Sequence, residues 1–248
     1  MYFDSKMKKA SQIKKILLAF ATPARAKVNA WFFKTGKGQY GEGDIFIGVR
    51  VPEVRSVVKG VSLEIPLTEV EKLLQDRVHE VRLCALLILV KLFQEAKNKG
   101  EKKQVFTFYT KHTKYINNWD LVDTSAHIIV GEYISDYMEH EERLVFINKY
   151  IVSKSLWENR IIVLATLYQI KKGNEKMLFY VAERLLHHSH DLMHKAIGWM
   201  LREVGKKSGE KTLMEFLDAH IRTVPRTTLR YAIERFPEVT RKKYLALK

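Results

Sequence analysis

The chain has 248 residues, of which 46% are hydrophobic and 29% are charged. This is the composition of a globular protein long enough to bury its own core. With 12 glycines and 5 prolines it has too few turn formers for an all-β protein, so long helices joined by short turns are favoured.

The charge balance predicts a polyanionic partner. There are 43 Lys and Arg residues against 28 Asp and Glu residues, which gives a formal net charge of +15. Nucleic acid is the expected partner of such a chain. A membrane surface is less favoured, because the basic residues are spread along the sequence and not gathered on one amphipathic segment.

Cysteine content and hydropathy indicate the compartment. The single cysteine, Cys84, lies in the apolar run Val81–Val90 and is expected to be a small buried hydrophobic residue. A single cysteine excludes an intramolecular disulfide and a multi-cysteine metal site. Met1–Lys9 is polar, Ile16–Ala21 is too short for a signal peptide, and no run approaches the ~20 apolar residues of a membrane span. We therefore predict a cytoplasmic protein.

In chain order, residues 1–65 are expected to form a cap of two or three helices with a loop at Thr35–Asp44. Gly36–Gly41 in this loop matches G-x-G-x-x-G, but a dinucleotide site needs a strand before it, and Val28–Lys34 looks like the end of a helix. We favour a basic loop in which Lys37 and the backbone N–H groups contact a phosphate.

Residues 66–240 are predicted to form helix pairs. The second helix of each pair carries apolar residues at i, i+3, i+4 and i+7, and these helices are Glu80–Leu92, Asp120–Tyr133, Glu158–Ile170, Met193–Val204 and Thr227–Phe236. The helices that precede them are Leu67–Leu74, Lys103–Tyr109, Arg143–Lys149, Lys176–Leu186 and Lys211–Ala219.

Equivalent positions in the second helices recur with a regular period. The separations are 41, 37, 35 and 35 residues between Arg82, Asp123, Arg160, Lys195 and Arg230. Such a period is typical of HEAT or armadillo solenoids, in which stacked helix pairs bury a continuous core. We predict an all-α, HEAT-like helical-repeat solenoid with a concave basic groove, forming a single domain over residues 1–248.

Four histidines crowd one turn of the chain, at positions 187, 188, 190 and 194. His190 and His194 are spaced i, i+4, which is a spacing found in zinc sites. However, the H-E-x-x-H pattern is absent and no third ligand is evident. We favour a solvated, weakly basic turn, with a metal site as the alternative.

Two tryptophans stand beside charged residues at helical spacing. Trp119 precedes Asp123 by four residues and Trp199 precedes Arg202 by three, so each pair shares a helix face. A carboxylate next to an indole is unusual in a core, because an ionised Asp is almost never buried unpaired. A structural ion pair of Asp123 with Arg160 is the alternative explanation.

Several motifs resemble the AlkD-type alkylpurine DNA glycosylases, a family built of HEAT-like repeats. They are Gly48–Arg55 (GVRVPEVR), Trp119–Asp123 (WDLVD), Leu156–Arg160 (LWENR) and Lys195–Glu203 (KAIGWMLRE). They span most of the chain. The combination of W-D-x-V-D with K-A-I-G-W-x-L-R-E is specific, whereas either motif alone would be weak.

The resemblance implies a set of site residues. The catalytic carboxylate of the family matches Asp123, its two cleft tryptophans match Trp119 and Trp199, and its essential basic residue matches Arg160. The other residues expected to bind DNA are Arg202, Arg50, Trp31, Lys37 and Lys195. Arg50 stands where a relative carries a glutamine, which leaves that contact with DNA open.

The activity that the resemblance implies is hydrolysis of the N-glycosidic bond of cationic alkylated purines in duplex DNA, by a monomer without a cofactor. One rival is a non-catalytic HEAT module that binds nucleic acid or an acidic protein. It would share the charge and the repeats but would have no use for Asp123. A second rival is a metal-dependent nuclease that uses the cluster His187–His194.

Overall fold

The computed structural model describes residues 6–247, and these form an all-α helical-repeat structure, as predicted. Within this part of the chain there is no β-strand, and the extended backbone is limited to isolated bridges of Met7 with Val61 and Ile45 with Val78. None of the helices between residues 6 and 247 is both long and apolar enough to span a membrane.

The chain divides into two compact units, unit 1 ending at Ser125 and unit 2 beginning at Ala126. The helices of unit 1 are α1 (Ala10–Ala19), α2 (Pro23–Phe32), α3 (Val51–Lys59), α4 (Leu67–Leu74), α5 (His79–Glu95) and α6 (Lys99–Lys111), followed by a 3₁₀ turn at Thr113–Tyr115. Helix α7 (Trp119–Asp136) begins in unit 1 and ends in unit 2.

The helices of unit 2 after α7 are α8 (His140–Ile151), α9 (Leu156–Ala165), α10 (Leu167–Lys171), α11 (Lys176–Leu185), α12 (Asp191–Lys207), α13 (Glu210–His220), α14 (Arg226–Ala232) and α15 (Glu238–Ala246). The predicted helix pairs therefore exist, and α4 has the predicted bounds. The HEAT-like architecture and the single domain with a cap up to residue 65 stay predictions.

Apart from α4, the predicted helices differ from the structure at one or both ends, and in addition one predicted helix is divided and one ends early. The predicted helix Glu158–Ile170 is divided at Thr166, whose backbone N–H and hydroxyl both donate to the Val163 carbonyl oxygen, at 3.3 and 2.6 Å. This tightens the helix to an i, i+3 turn and separates α9 from α10. Helix α14 ends at Ala232, four residues before the predicted Phe236.

Helix α5 is the centre of unit 1. Every residue from His79 to Val90 is buried, as expected for a helix that is apolar on all sides, and α1, α3, α4 and α6 pack around it. Cys84 is fully buried here, as predicted, and burial raises the pKa of its thiol to about 12. The charged residues at the beginning of α5 are therefore held inside the unit.

Helix α12 has the same position in unit 2, where it packs against α9, α10, α11, α13 and α14. Its contact with α14 is close because Gly198 has no side chain. A Cβ atom at this position would lie 2.5 Å from the Tyr231 Cβ and 2.6 Å from the Thr228 carbonyl oxygen. The glycine of the K-A-I-G-W motif is therefore required by packing.

We expect Gly198→Ala to lower the free energy of unfolding by about 1–3 kcal/mol, because α12 and α14 must separate to admit the methyl group. Gly205→Ala in the same helix is the control, since its Cβ would meet a terminal methyl of Leu213 that can rotate away. Chemical denaturation measures both variants. Equal stability of the two would contradict the close contact.

Candidate functional site

The first turn of α7 presents Trp119 and Asp123 on one side and buries the apolar residues between them. Leu121 and Val122 are fully buried, whereas Trp119 and Asp123 are half-buried. Before the helix, Asn118 is also fully buried and accepts the Trp119 backbone N–H at 2.9 Å. Asp123 therefore lies at the edge of the core and is not fully buried in it.

Aromatic side chains from the end of α2 hold Trp119 in place. The Phe33 ring stacks on the indole with centroids 5.1 Å apart and an interplanar angle of 12°. Phe32 meets the same indole edge-on at 6.0 Å. Trp31, the predicted aromatic residue of this segment, is instead 77% exposed. The role of Trp31 in binding DNA stays a prediction.

A buried ionic cluster lies behind the first turn of α7. The His79 imidazole is buried between two carboxylates, with Nδ1 3.1 Å from Asp44 Oδ2 and Nε2 2.8 Å from Asp120 Oδ2. Arg82 donates to Asp44 Oδ1 at 2.6 Å, and the Asn118 amide donates to Asp44 Oδ2 at 3.1 Å. The cluster joins the loop before α3, the beginning of α5 and the beginning of α7.

The charges of this cluster shift the pKa values of its members. Burial opposes the charged form of His79, but the charge of Asp120 and the hydrogen bonds to Asp120 and Asp44 outweigh it and raise the pKa to about 9. Burial likewise opposes the ionised form of Asp44, but His79 and Arg82 hold its pKa below the usual value. At neutral pH an imidazolium therefore lies between two carboxylates.

The shape of the loop before α3 depends on Gly48 and Glu80. Gly48 has a φ of +79°, and a Cβ there would lie 2.4 Å from the Thr22 carbonyl oxygen. The buried Glu80 carboxylate accepts the Gly48 backbone N–H at 2.8 Å and also that of Ile47. This arrangement fixes the direction in which the chain leaves toward α3.

The basic residues predicted in unit 1 are exposed. Arg50 caps α3 and forms an ion pair with Glu53 at 2.7 Å, which lowers the pKa of the Glu53 carboxyl. Lys37 is exposed in its loop. The backbone N–H groups of Gly36 and Gly38 donate to the side chains of Gln39 and Glu42, and α2 stands where a dinucleotide site would need a strand.

Unit 2 contains Arg160 and Lys195 in different surroundings. Arg160 is only 4% exposed and donates to the Leu192 carbonyl oxygen at 2.6 Å, which ties α9 to the first turn of α12. Lys195 is half-buried on α12 and forms an ion pair with Asp191 at 2.8 Å. The proposed contacts of both residues with DNA stay predictions.

The indole of Trp199 is half-buried on α12, one turn before Arg202. Arg202 forms an ion pair with Glu234, and its Nε lies 3.7 Å from the neighbouring Glu203. Both residues therefore lie on α12 at the predicted spacing, and their role in binding DNA stays a prediction.

The histidine turn before α12 is built on backbone contacts. His188 Nδ1 accepts the His190 backbone N–H at 3.0 Å, and His190 Nδ1 accepts that of Leu192 at 3.1 Å. His194 Nε2 donates to the His188 carbonyl oxygen at 2.6 Å. Burial lowers the pKa values of His188 and His190, which favours the neutral, accepting form. Over residues 6–247 no group of His, Cys, Asp or Glu side chains has a metal-binding arrangement.

Sequence reasoning missed the residues that support Trp119. Phe33 was visible only as part of an aromatic run, and His79, Asp44 and Asp120 are far apart in sequence. One signal was present, because His79, Glu80 and Arg82 are charged or polar residues at the beginning of an otherwise apolar helix. Such residues inside a core need partners, and those partners lie in distant segments.

Comparison with known proteins identifies the family. The family model of DNA alkylation repair enzymes matches residues 13–236. The chain therefore belongs to the DNA alkylation repair enzyme family, which confirms the resemblance carried by its motifs and supports a role in DNA repair.

No curated protein matches the chain. Among solved structures, it is similar to a predicted DNA alkylation repair enzyme from Enterococcus faecalis, with 17% sequence identity and a TM-score of 0.68. The match covers 88% of this chain and 97% of that chain. At this identity the similarity shows a shared fold.

The raised pKa of His79 predicts a loss of stability at alkaline pH. The unfolded imidazole has a pKa near 6.5 and the folded one about 9, so its contribution is complete below 6.5 and is lost as the pH rises through 9. Over this interval we expect the free energy of unfolding to fall by roughly 3 kcal/mol. Urea denaturation across this pH range measures the fall, and His79→Gln should lack it. An equal fall in both proteins would place the titrating group elsewhere.

Proposed function

We propose that this protein is a DNA glycosylase that hydrolyses the N-glycosidic bond of positively charged alkylated purines, such as 7-alkylguanine and 3-alkyladenine, in duplex DNA. One observation carries the proposal. In a strongly basic member of the DNA alkylation repair enzyme family, the half-buried carboxylate of Asp123 lies one helical turn from the indole of Trp119.

The position of Asp123 argues for chemistry over binding alone. A net charge of +15 attracts the phosphate backbone, and a carboxylate on a surface that binds phosphates opposes this attraction. A module that only binds nucleic acid gains no affinity for DNA from this carboxylate. A glycosylase needs an anion near deoxyribose, because positive charge develops on the sugar as the bond breaks.

The reaction follows from the charge of the lesion. A purine alkylated on a ring nitrogen is a cation and leaves as a neutral base, while the sugar becomes oxocarbenium-like. Asp123 stabilises that cation and orients or deprotonates the attacking water. Two unit charges ~4 Å apart at an effective dielectric of about 20 interact by roughly 4 kcal/mol. This corresponds to about three orders of magnitude in rate.

The tryptophans favour the cationic lesion over a normal base. The face of an indole attracts a cation by roughly 0.5–2 kcal/mol. Trp119 is suited to this role because Phe33 holds the indole from one side. Trp199 is the corresponding candidate in unit 2. An enzyme that recognises charge and backbone in this way need not enclose the base, so bulky adducts would be tolerated.

The basic residues bind the phosphates of the duplex in place of the carboxylates with which they pair in the free protein. Arg50, Lys195 and Arg202 each have a carboxylate partner in the free protein. Exposed ion pairs contribute little to stability, so replacing a carboxylate by a phosphate oxygen costs little. Lys37 and Trp31 are exposed and need no exchange. Arg160 is the further candidate in unit 2 for a contact with a backbone phosphate.

We expect Asp123→Asn to reduce the release of 7-methylguanine from methylated duplex DNA by about a thousandfold, while the Kd for the duplex changes by only a few-fold. The amide keeps the shape of the side chain and removes its charge. Single-turnover excision and fluorescence anisotropy measure the two quantities.

Asp136→Asn is the matched control, because Asp136 lies at the other end of the same helix and binds Tyr168 and Lys172. It should leave both quantities unchanged. If Asp123→Asn lost binding and excision equally, Asp123 would be a structural ion-pair partner. If excision were unaffected, the proposed catalytic role would be wrong.

A further inference from the structure

The ionic cluster around His79 is not needed to fill the core. Buried ion pairs lose much of their attraction to desolvation, and apolar side chains of similar volume often give equal stability. Unit 1 nevertheless places an imidazole, a guanidinium and two carboxylates among the aromatic rings of Phe33 and Phe46. This arrangement suits a role in addition to stability.

The hydrogen bonds of the cluster reach the two residues that flank Trp119 in the sequence. Asp120, which follows it, binds His79, and Asn118, which precedes it, donates to Asp44. Stacked aromatic rings make a second connection between His79 and Trp119. Phe46 stacks on the imidazole at 4.5 Å and on Phe33 at 4.8 Å. Phe33 in turn stacks on Trp119. Both the backbone and the indole of Trp119 are thus fixed through the cluster.

We propose that His79 is a positioning residue for base excision, which holds the first turn of α7 through Asp120 and thereby sets the orientation of Trp119 and Asp123. This inference rests on the proposed glycosylase function for its catalytic consequence. Its structural part, the control of the Trp119 environment by His79, holds whether or not the protein excises bases.

The bridge requires a protonated imidazole. Only an imidazolium donates from both ring nitrogens, so a neutral ring leaves one carboxylate facing a lone pair. The charged groups that face His79 are Asp44 from the loop, Arg82 from α5 and Asp120 from α7, while Phe33 and Phe46 are uncharged. Deprotonation near pH 9 therefore breaks one of the two hydrogen bonds by which His79 links Asp44 to Asp120, and this weakens the bridge between the loop and α7.

The first arm of the test measures excision. We expect His79→Gln to lower the single-turnover excision rate at pH 7.5 at least tenfold, with the Kd for the duplex within threefold of wild type. The wild-type rate should fall as the pH rises through about 9, and His79→Gln should lack this fall. His112→Gln is the control, because His112 bridges to Glu71 at 3.0 Å in the same unit. It should retain the wild-type rate and pH profile.

The second arm does not depend on activity. The indole N–H resonance of Trp119, assigned with Trp119→Phe, should shift with the deprotonation of His79 in wild type and in Asp123→Asn, and should not shift in His79→Gln. An indole resonance whose chemical shift does not change over this titration would overturn the inference. A His79→Gln variant with the wild-type excision rate and pH profile would also overturn it. If His79→Gln does not fold, Asp120→Asn serves as the second variant with the same expected results.

The two arms separate the two proposals. If wild type releases no purine although the indole resonance follows His79, the glycosylase function is wrong and the structural control of Trp119 stands. If wild type excises purines but the indole resonance does not move, the glycosylase function stands and the inference about His79 is overturned.

Discussion

One buried histidine with a carboxylate on either side determines how the candidate site of unit 1 is held. His79 is bonded to Asp44 and to Asp120, so a loop, the beginning of α5 and the beginning of α7 meet at one imidazole. Each carboxylate is acceptable inside the unit only because the imidazolium and Arg82 balance its charge. The orientation of Trp119 and the half-buried position of Asp123 follow from this anchoring.

The same principle of balanced charge operates at the surface. The chain has a large positive charge, yet Arg50, Lys195 and Arg202 are each paired with a carboxylate. In the proposed complex, phosphate oxygens replace these carboxylates. These ion pairs hold the basic side chains in defined positions in the free protein, where a polyanion can bind them. Asp123 has no such part in phosphate binding, which is why its presence points to chemistry.

Local patterns predicted the helices well and the supporting contacts poorly. The apolar period defined α5, α7 and α12, and two short motifs indicated the family. The break at Thr166 depends on one hydroxyl that bonds back to the chain, which apolar spacing does not reveal. The partners of His79 lie in segments that only the fold brings together. A polar residue in an apolar helix signals that partners exist without indicating which residues they are.

The most direct test of the account is the incubation of the purified protein with duplex DNA methylated at purines, in the presence of a chelator. The products are analysed both for free bases and for abasic sites. The account predicts that free 7-methylguanine and 3-methyladenine are released, that abasic sites appear in equal number, and that unmodified purines stay in place. A protein that binds this DNA but releases no purine, or that cuts the strand only when a metal is supplied, would contradict the account.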